Sequence, residues 1–123
     1  MTMRDYKKLD VWNKAHGLTL MIYKEILPSL PDYEKYDLAS QLKRATYSIP
    51  LNIVEGCGKY TDKDFTHFLD NALGSVHEVE YCGLLSAELG YLNEEQFKKI
   101  EVQVSELKAM LISFIKFLRK EKH

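Results

Sequence analysis

Apolar residues recur at steps of three and four in four separate stretches, the spacing that lines one face of a helix. The first stretch, Trp12, Ala15, Thr19, Ile22 and Ile26, predicts a helix from Asp10 to Leu27, with Asp10 as N-cap and Pro28 as the stop. Leu18, Met21 and Tyr23 lie off that row and widen its stripe. The second, Leu38, Leu42, Ala45, Ile49 and Ile53, predicts a helix from Tyr36 to Gly56 that passes through Pro50 and bends near Ser48. Gly56 and Gly58 are expected to form a left-handed cap where it ends. Thr61 to Asp64 has capping-box spacing, and Phe65, Leu69, Ala72, Val76 and Val79 carry a third helix on to Gly90. Asn93 and Gln96 repeat that spacing ahead of the cleanest heptad in the chain: Phe97, Ile100, Val104, Leu107, Leu111, Phe114 and Leu118.

Four helices, short connections and no strand pattern predict an all-α fold, an antiparallel up-down-up-down four-helix bundle spanning residues 1–123 as one domain. Met110, Ile112, Ile115 and Phe117 fall outside the last heptad, and a monomer would expose them as a patch. They are the expected surface of self-association.

A polar seam runs beside the apolar row of the second helix. Gln41, Arg44, Ser48, Asn52 and Glu55 share one face, and Asn71, Ser75, Glu78 and Cys82 answer it on the third helix. Arg44 can bridge two carboxylates, so the seam is expected to be a structural network in which Arg44 pairs with Glu55 or Glu78 and fixes the register of the bundle. The alternatives are a ligand or partner pocket lined by the same residues, and an enzyme that uses Arg44, Glu55 and Glu78.

Chemistry is otherwise sparse. The Glu-x-x-His pairs of di-metal bundles are absent, so no metal and no cofactor are expected. Cys57 and Cys82 have neither metal spacing nor an activating base in sequence context, and read as structural thiols. His16, His67 and His77 are scattered over the helices. Gly56-Cys57-Gly58 follows a helix and lacks the lysine of a phosphate loop. With 46% hydrophobic and 28% charged residues the chain is folded rather than disordered, and the absence of a long apolar run or a secretory leader leads to the expectation of a cytoplasmic protein.

The formal net charge of −1 argues against a dedicated nucleic-acid binder, but the charge is segregated. Arg4, Lys7 and Lys8 lie near one terminus, and Lys116, Arg119, Lys120, Lys122 and His123 near the other. Between Thr61 and Leu92 the acids Asp62, Asp64, Asp70, Glu78, Glu80 and Glu88 face Lys63 alone.

Several segments together carry a family resemblance: Leu9-Asp-Val-Trp12, Gln41-Leu-Lys-Arg-Ala45, Ser48-Ile49, Asn52-Ile-Val-Glu-Gly56, Gly74-Ser-Val-His-Glu-Val-Glu80 and Leu89-Gly-Tyr-Leu92. The chain resembles the small bacterial four-helix-bundle proteins of intervening sequences in large-subunit (23S) ribosomal RNA genes. It is also similar to the accessory variability-determinant proteins of diversity-generating retroelements. The resemblance implies a bundle assembled into a ring, a homopentamer, and the second group implies association with nucleic acid. It supplies no catalytic residues. The function expected is a non-enzymatic, homo-oligomeric interaction or scaffold protein associating with ribosomal RNA or another nucleoprotein complex through Lys7, Lys8, Lys116, Arg119 and Lys120. The alternative is a protein-binding adaptor with no nucleic-acid role, working through the acidic face of the third helix or the ring pore.

Overall fold

Twelve of the largest apolar side chains are sealed from solvent, and all four helices contribute to them: Leu18 and Ile22 from the first segment, Leu42 and Ile53 from the second, Phe65 and Leu69 from the third, Leu107 and Leu111 from the fourth. Burying each fully contributes about 1.5–3 kcal/mol. The computed structural model describes residues 4–120, and among them no strand is formed. The helices are α1 (Asp10–Met21), α2 (Leu38–Cys57), α3 (Asp62–Glu88) and α4 (Glu94–Lys120). Each packs on the next, and α4 packs back on α1.

Cross-helix pairs define how the elements run. Lys14 and Glu25 of the first segment bond Glu106 and Lys99 of α4. Ser48 meets Ser75 between α2 and α3. Glu80 and Asp70 of α3 bond Lys108 and Arg119 of α4. Between the first segment and α4, and between α3 and α4, the later residue of one helix meets the earlier residue of the other.

The α1 core row keeps Ala15, Ile22 and Ile26 as expected but takes Val11 and Leu18 in place of Trp12 and Thr19. Val11, Ala15, Leu18, Ile22 and Ile26 are buried, whereas Trp12 and Thr19 are half-buried at the edge. There Trp12 stacks on His16 and meets Tyr6 edge-on, while Thr19 Oγ1 donates to Ala15 O at 2.8 Å. Leu9, not Asp10, is the N-cap of α1, and it offers no side-chain bond. Asn13 Nδ2 instead ties the first turn to the preceding segment, donating to Lys7 O and Leu9 O. Past Met21 the chain widens into a π-helical turn, Ile22–Ile26, in which the Leu27 N–H reaches Ile22 O.

α2 continues unbroken through the buried Pro50. Proline removes the donor that would serve Thr46 O. The Thr46 hydroxyl meanwhile donates to Leu42 O at 2.6 Å. Of the two expected capping boxes, the one at Asn93 and Gln96 forms with reciprocal bonds of 2.9 and 2.8 Å, whereas at Thr61 only the N-cap half is present, Thr61 Oγ1 accepting from Asp64 N. The left-handed cap falls elsewhere than expected. Gly58 has φ −81, and Gly90, at φ 83, is the residue that closes α3, with Gly90 N donating to Ala87 O and Tyr91 N to Ser86 O.

Candidate nucleic-acid interface and polar seam

The start of α1, the end of α2, the start of α3 and the end of α4 meet at one end of the bundle. Arg4 holds two of these segments together. Its Nη1 donates to Lys59 O at 2.8 Å, its guanidinium pairs with Asp62, and it lies 4.3 Å over the centre of the Phe65 ring. Lys8 and Phe117 line one open groove, and Asp62, Lys63, Leu118 and Arg119 line another. Lys7 and Lys8 are therefore carried to the same end as Lys116, Arg119 and Lys120, and all five are exposed.

Their charges are not equally available. Arg119 Nη2 donates to Asp70 Oδ2 at 2.5 Å, so much of its charge is answered within the chain. Among the described residues no ion pair involves Lys7, Lys8, Lys116 or Lys120. The macrodipole of α4 favours cations in its last turn. Lys59 and Lys63 join this end, a placement the terminal charge clusters did not disclose. The signal was topological: in a bundle of alternating helices, the connection after α2 returns to the end where α1 begins. Lys122 and His123 lie outside the described residues.

The acidic face of α3 is thinner than its sequence. Asp62, Asp70 and Glu80 pair with Arg4, Arg119 and Lys108, which leaves Asp64, Glu78 and Glu88 without an ion pair among the described residues.

The polar seam divides in two. Ser48 Oγ lies 2.5 Å from Ser75 Oγ and 3.0 Å from Ala45 O. One hydroxyl proton serves one acceptor, so when Ser48 donates to Ala45 it receives the proton of Ser75. Asn52 Nδ2 donates to Ser48 O at 2.8 Å. These small groups sit where α2 meets α3. Gln41, Arg44, Glu55, Asn71 and Glu78 instead lie exposed beside it. The expected pairing of Arg44 with Glu55 or Glu78 is not formed among the described residues. Arg44 and Glu55 are eleven residues apart on one helix, about 16 Å along its axis, so they cannot meet within a chain.

The expected association surface on α4 is also corrected. Ile115 is buried, at 5% exposure, and Met110 is half-buried against the core. Ile112 and Phe117 remain exposed, but five residues place them about 140° apart around the helix, so they do not form one patch.

Burial pushes the Cys57 thiol above its ordinary value, with Arg4 acting the other way and Asp5 adding to the rise; burial and then Glu78 do the same to Cys82. Neither is poised as a thiolate. His77 Nδ1 donates to Leu73 O at 3.0 Å, which turns that ring back on its own helix. Among the described residues no three histidine, cysteine or acidic side chains gather where they could hold a metal ion, and no helix is long and apolar enough to cross a membrane.

The class so defined is an all-helical four-helix bundle with Lys7, Lys8, Lys59, Lys63, Lys116 and Lys120 at one end, none of them in an ion pair among the described residues, and small hydroxyl side chains where α2 meets α3. The chain belongs to the 23S rRNA-intervening sequence protein family, whose model matches residues 7–113. It is similar to the crystal structure of a protein of unknown function from the S23 ribosomal protein family of Bacteroides thetaiotaomicron VPI-5482. The TM-score is 0.79 and the identity 29%, over 86% of this chain and 98% of that one. Among curated proteins none matches this chain.

Proposed function

We propose that this protein is a non-enzymatic, self-associating scaffold, a ring of antiparallel four-helix bundles, that binds RNA or a nucleoprotein complex at its basic end. The observation that carries the reading is the gathering of Lys7, Lys8, Lys116 and Lys120 at one end with no ion pair among the described residues. Family membership supports RNA as the partner, and the order of the cross-helix pairs supports the antiparallel course. A homopentamer is the assembly that the resemblance implies. A ring repeats each patch around its axis, so a weak site on one chain becomes a rim whose contacts reinforce one another.

The test is binding of the purified protein to a labelled structured RNA at low and near-physiological salt. Binding should weaken steeply with salt, in proportion to the number of phosphates neutralised, and Lys7, Lys8, Lys116 and Lys120 changed together to Glu should abolish it. Equal affinity in that variant would remove the basic end from the reading. No binding by the parent protein at either salt would leave the adaptor as the function.

A further inference from the structure

Two unlike apolar surfaces lie on opposite sides of the bundle. Packing runs from α1 to α2, α3, α4 and back to α1, so the outer seam of α1 and α2 faces away from that of α3 and α4. On the first seam Leu20, Tyr23, Tyr47 and Leu51 are 42%, 40%, 40% and 47% exposed. Tyr23 lies in the Ile22–Ile26 turn, which packs on α2, and Tyr47 is on α2 itself; burial and then Tyr47 hold the Tyr23 phenol above its ordinary value. Leu20 stands one turn before Tyr23, and Leu51 one turn after Tyr47. The second surface is a groove of about 360 Å³ between α3 and α4, floored by Ile100 and walled by Tyr81, Leu84 and Phe97. Tyr81 is 62% exposed and Leu84 40%.

Their charges are opposite. Lys43 and Arg44 flank the tyrosine patch on α2, exposed and with no ion pair among the described residues. Glu101 and Glu80 rim the groove; Lys108 answers Glu80, while Glu101 has no ion pair among the described residues. A patch edged with cations and a groove edged with acids suit each other better than either suits a copy of itself.

We propose that these surfaces are the two halves of one contact between copies, in which the α1–α2 patch of one chain docks on the α3–α4 groove of the next. This rests on the self-association proposed above and names its surfaces. It also gives Arg44 a partner outside its own chain. A head-to-tail contact leaves one unused patch and one unused groove in any open chain of copies, so every copy is satisfied only when the chain closes into a ring.

Two single variants test it, Leu51→Glu for the patch and Leu84→Glu for the groove. Both side chains are already exposed, so far-ultraviolet circular dichroism and the melting curve should match the parent. Native mass spectrometry and light scattering then read assembly. The parent should be a closed multimer and each variant alone a monomer, with its contact weakened by about 30-fold or more. Mixed in equal amounts, the variants should form a one-to-one dimer, because Leu51→Glu keeps an intact groove and Leu84→Glu an intact patch. A monomeric parent would overturn self-association and this contact with it. An assembled parent whose variants both stay assembled would overturn only the contact. Loss of assembly in Leu51→Glu but not in Leu84→Glu would mean that patch meets patch, and would overturn the groove's part.

Discussion

A β-carbon on Gly56 would stand 2.8 Å from Cδ1 of Phe65. Phe68 Cβ would be 3.0 Å away, so the close approach of α2 to the start of α3 depends on the absence of a side chain at position 56. Phe65 cannot yield easily: it is buried, packs edge-on against Phe114 and lies under Arg4. Gly56→Ala should therefore destabilise the protein by about 1–3 kcal/mol through overpacking. Gly17→Ala and Gly74→Ala have nothing within 4 Å of the added carbon and sit in regular helix, so each should stabilise by about 0.5–1 kcal/mol. Urea denaturation of the three variants checks both signs, and a Gly56→Ala protein as stable as its parent would contradict the close-packing role.

Gly56 also shows where the sequence was ambiguous. A glycine at a helix end serves either a positive φ or a close approach, and the two needs look alike in one dimension. Here Gly90 has the positive φ and Gly56 the close approach. The caps at Thr61 and Asn93 were legible because their bonds are local and fixed by spacing. The α4 heptad was legible at Ile100, Val104, Leu107, Leu111 and Leu118, but between the last two Ile115, rather than Phe114, is the buried residue. A straight helix drifts about 20° per heptad from a strict seven-residue repeat, so by its last turns the inward face has moved round. That drift turns Ile115 inward and dissolves the patch expected on α4. The basic end was half legible: each terminus shows its own lysines, and only the topology adds Lys59 and Lys63.

Arg44 and Ser75 reverse roles between pattern and packing. Arg44 is exposed with no ion pair among the described residues, whereas Ser75 is buried and hydrogen-bonded to Ser48. Arg44→Ala should stay within about 0.5 kcal/mol of the parent as an isolated chain. Ser75→Val removes the hydroxyl partner and adds bulk at the α2–α3 contact, and should cost about 1–3 kcal/mol. Denaturation at a concentration low enough to dissociate any assembly measures both. A large loss in Arg44→Ala there would restore the view that Arg44 holds the bundle in register.

The two thiols should report on unfolding rather than on chemistry. Cys57 is 3% exposed, and burial holds both its thiol and that of Cys82 above their ordinary value, so little thiolate exists near neutral pH. A disulfide reagent such as Ellman's should react slowly with the native protein, more slowly at Cys57 than at Cys82, and quickly with both in denaturant. Rapid stoichiometric labelling of native Cys57 would mean that the α2–α3 turn opens readily.

The connection between α1 and α2 is tied to the turn after α3 by one carboxylate. Glu34 Oε1 accepts from Leu38 N at the start of α2, and its Oε2 accepts from the Tyr91 hydroxyl at 2.8 Å, which in turn lies 3.1 Å from the Tyr33 hydroxyl. The bonds to Tyr33 and then to Glu34 hold the Tyr91 phenol well above the ordinary tyrosine value of 10.0. The folded protein thus keeps its proton more tightly than the unfolded chain does. For such a group the stability is fully present below the unfolded value and is lost as pH rises from there toward the folded one. The stability of the parent protein should therefore decline above about pH 10, and part of that slope should be absent in Tyr91→Phe, which has no phenolic proton to lose. The same variant should be less stable than the parent near neutral pH, because Glu34 loses a donor. Thermal melts across the alkaline range, read for both proteins, decide it. Parallel pH profiles would mean that the Tyr91–Glu34 bond does not persist in solution.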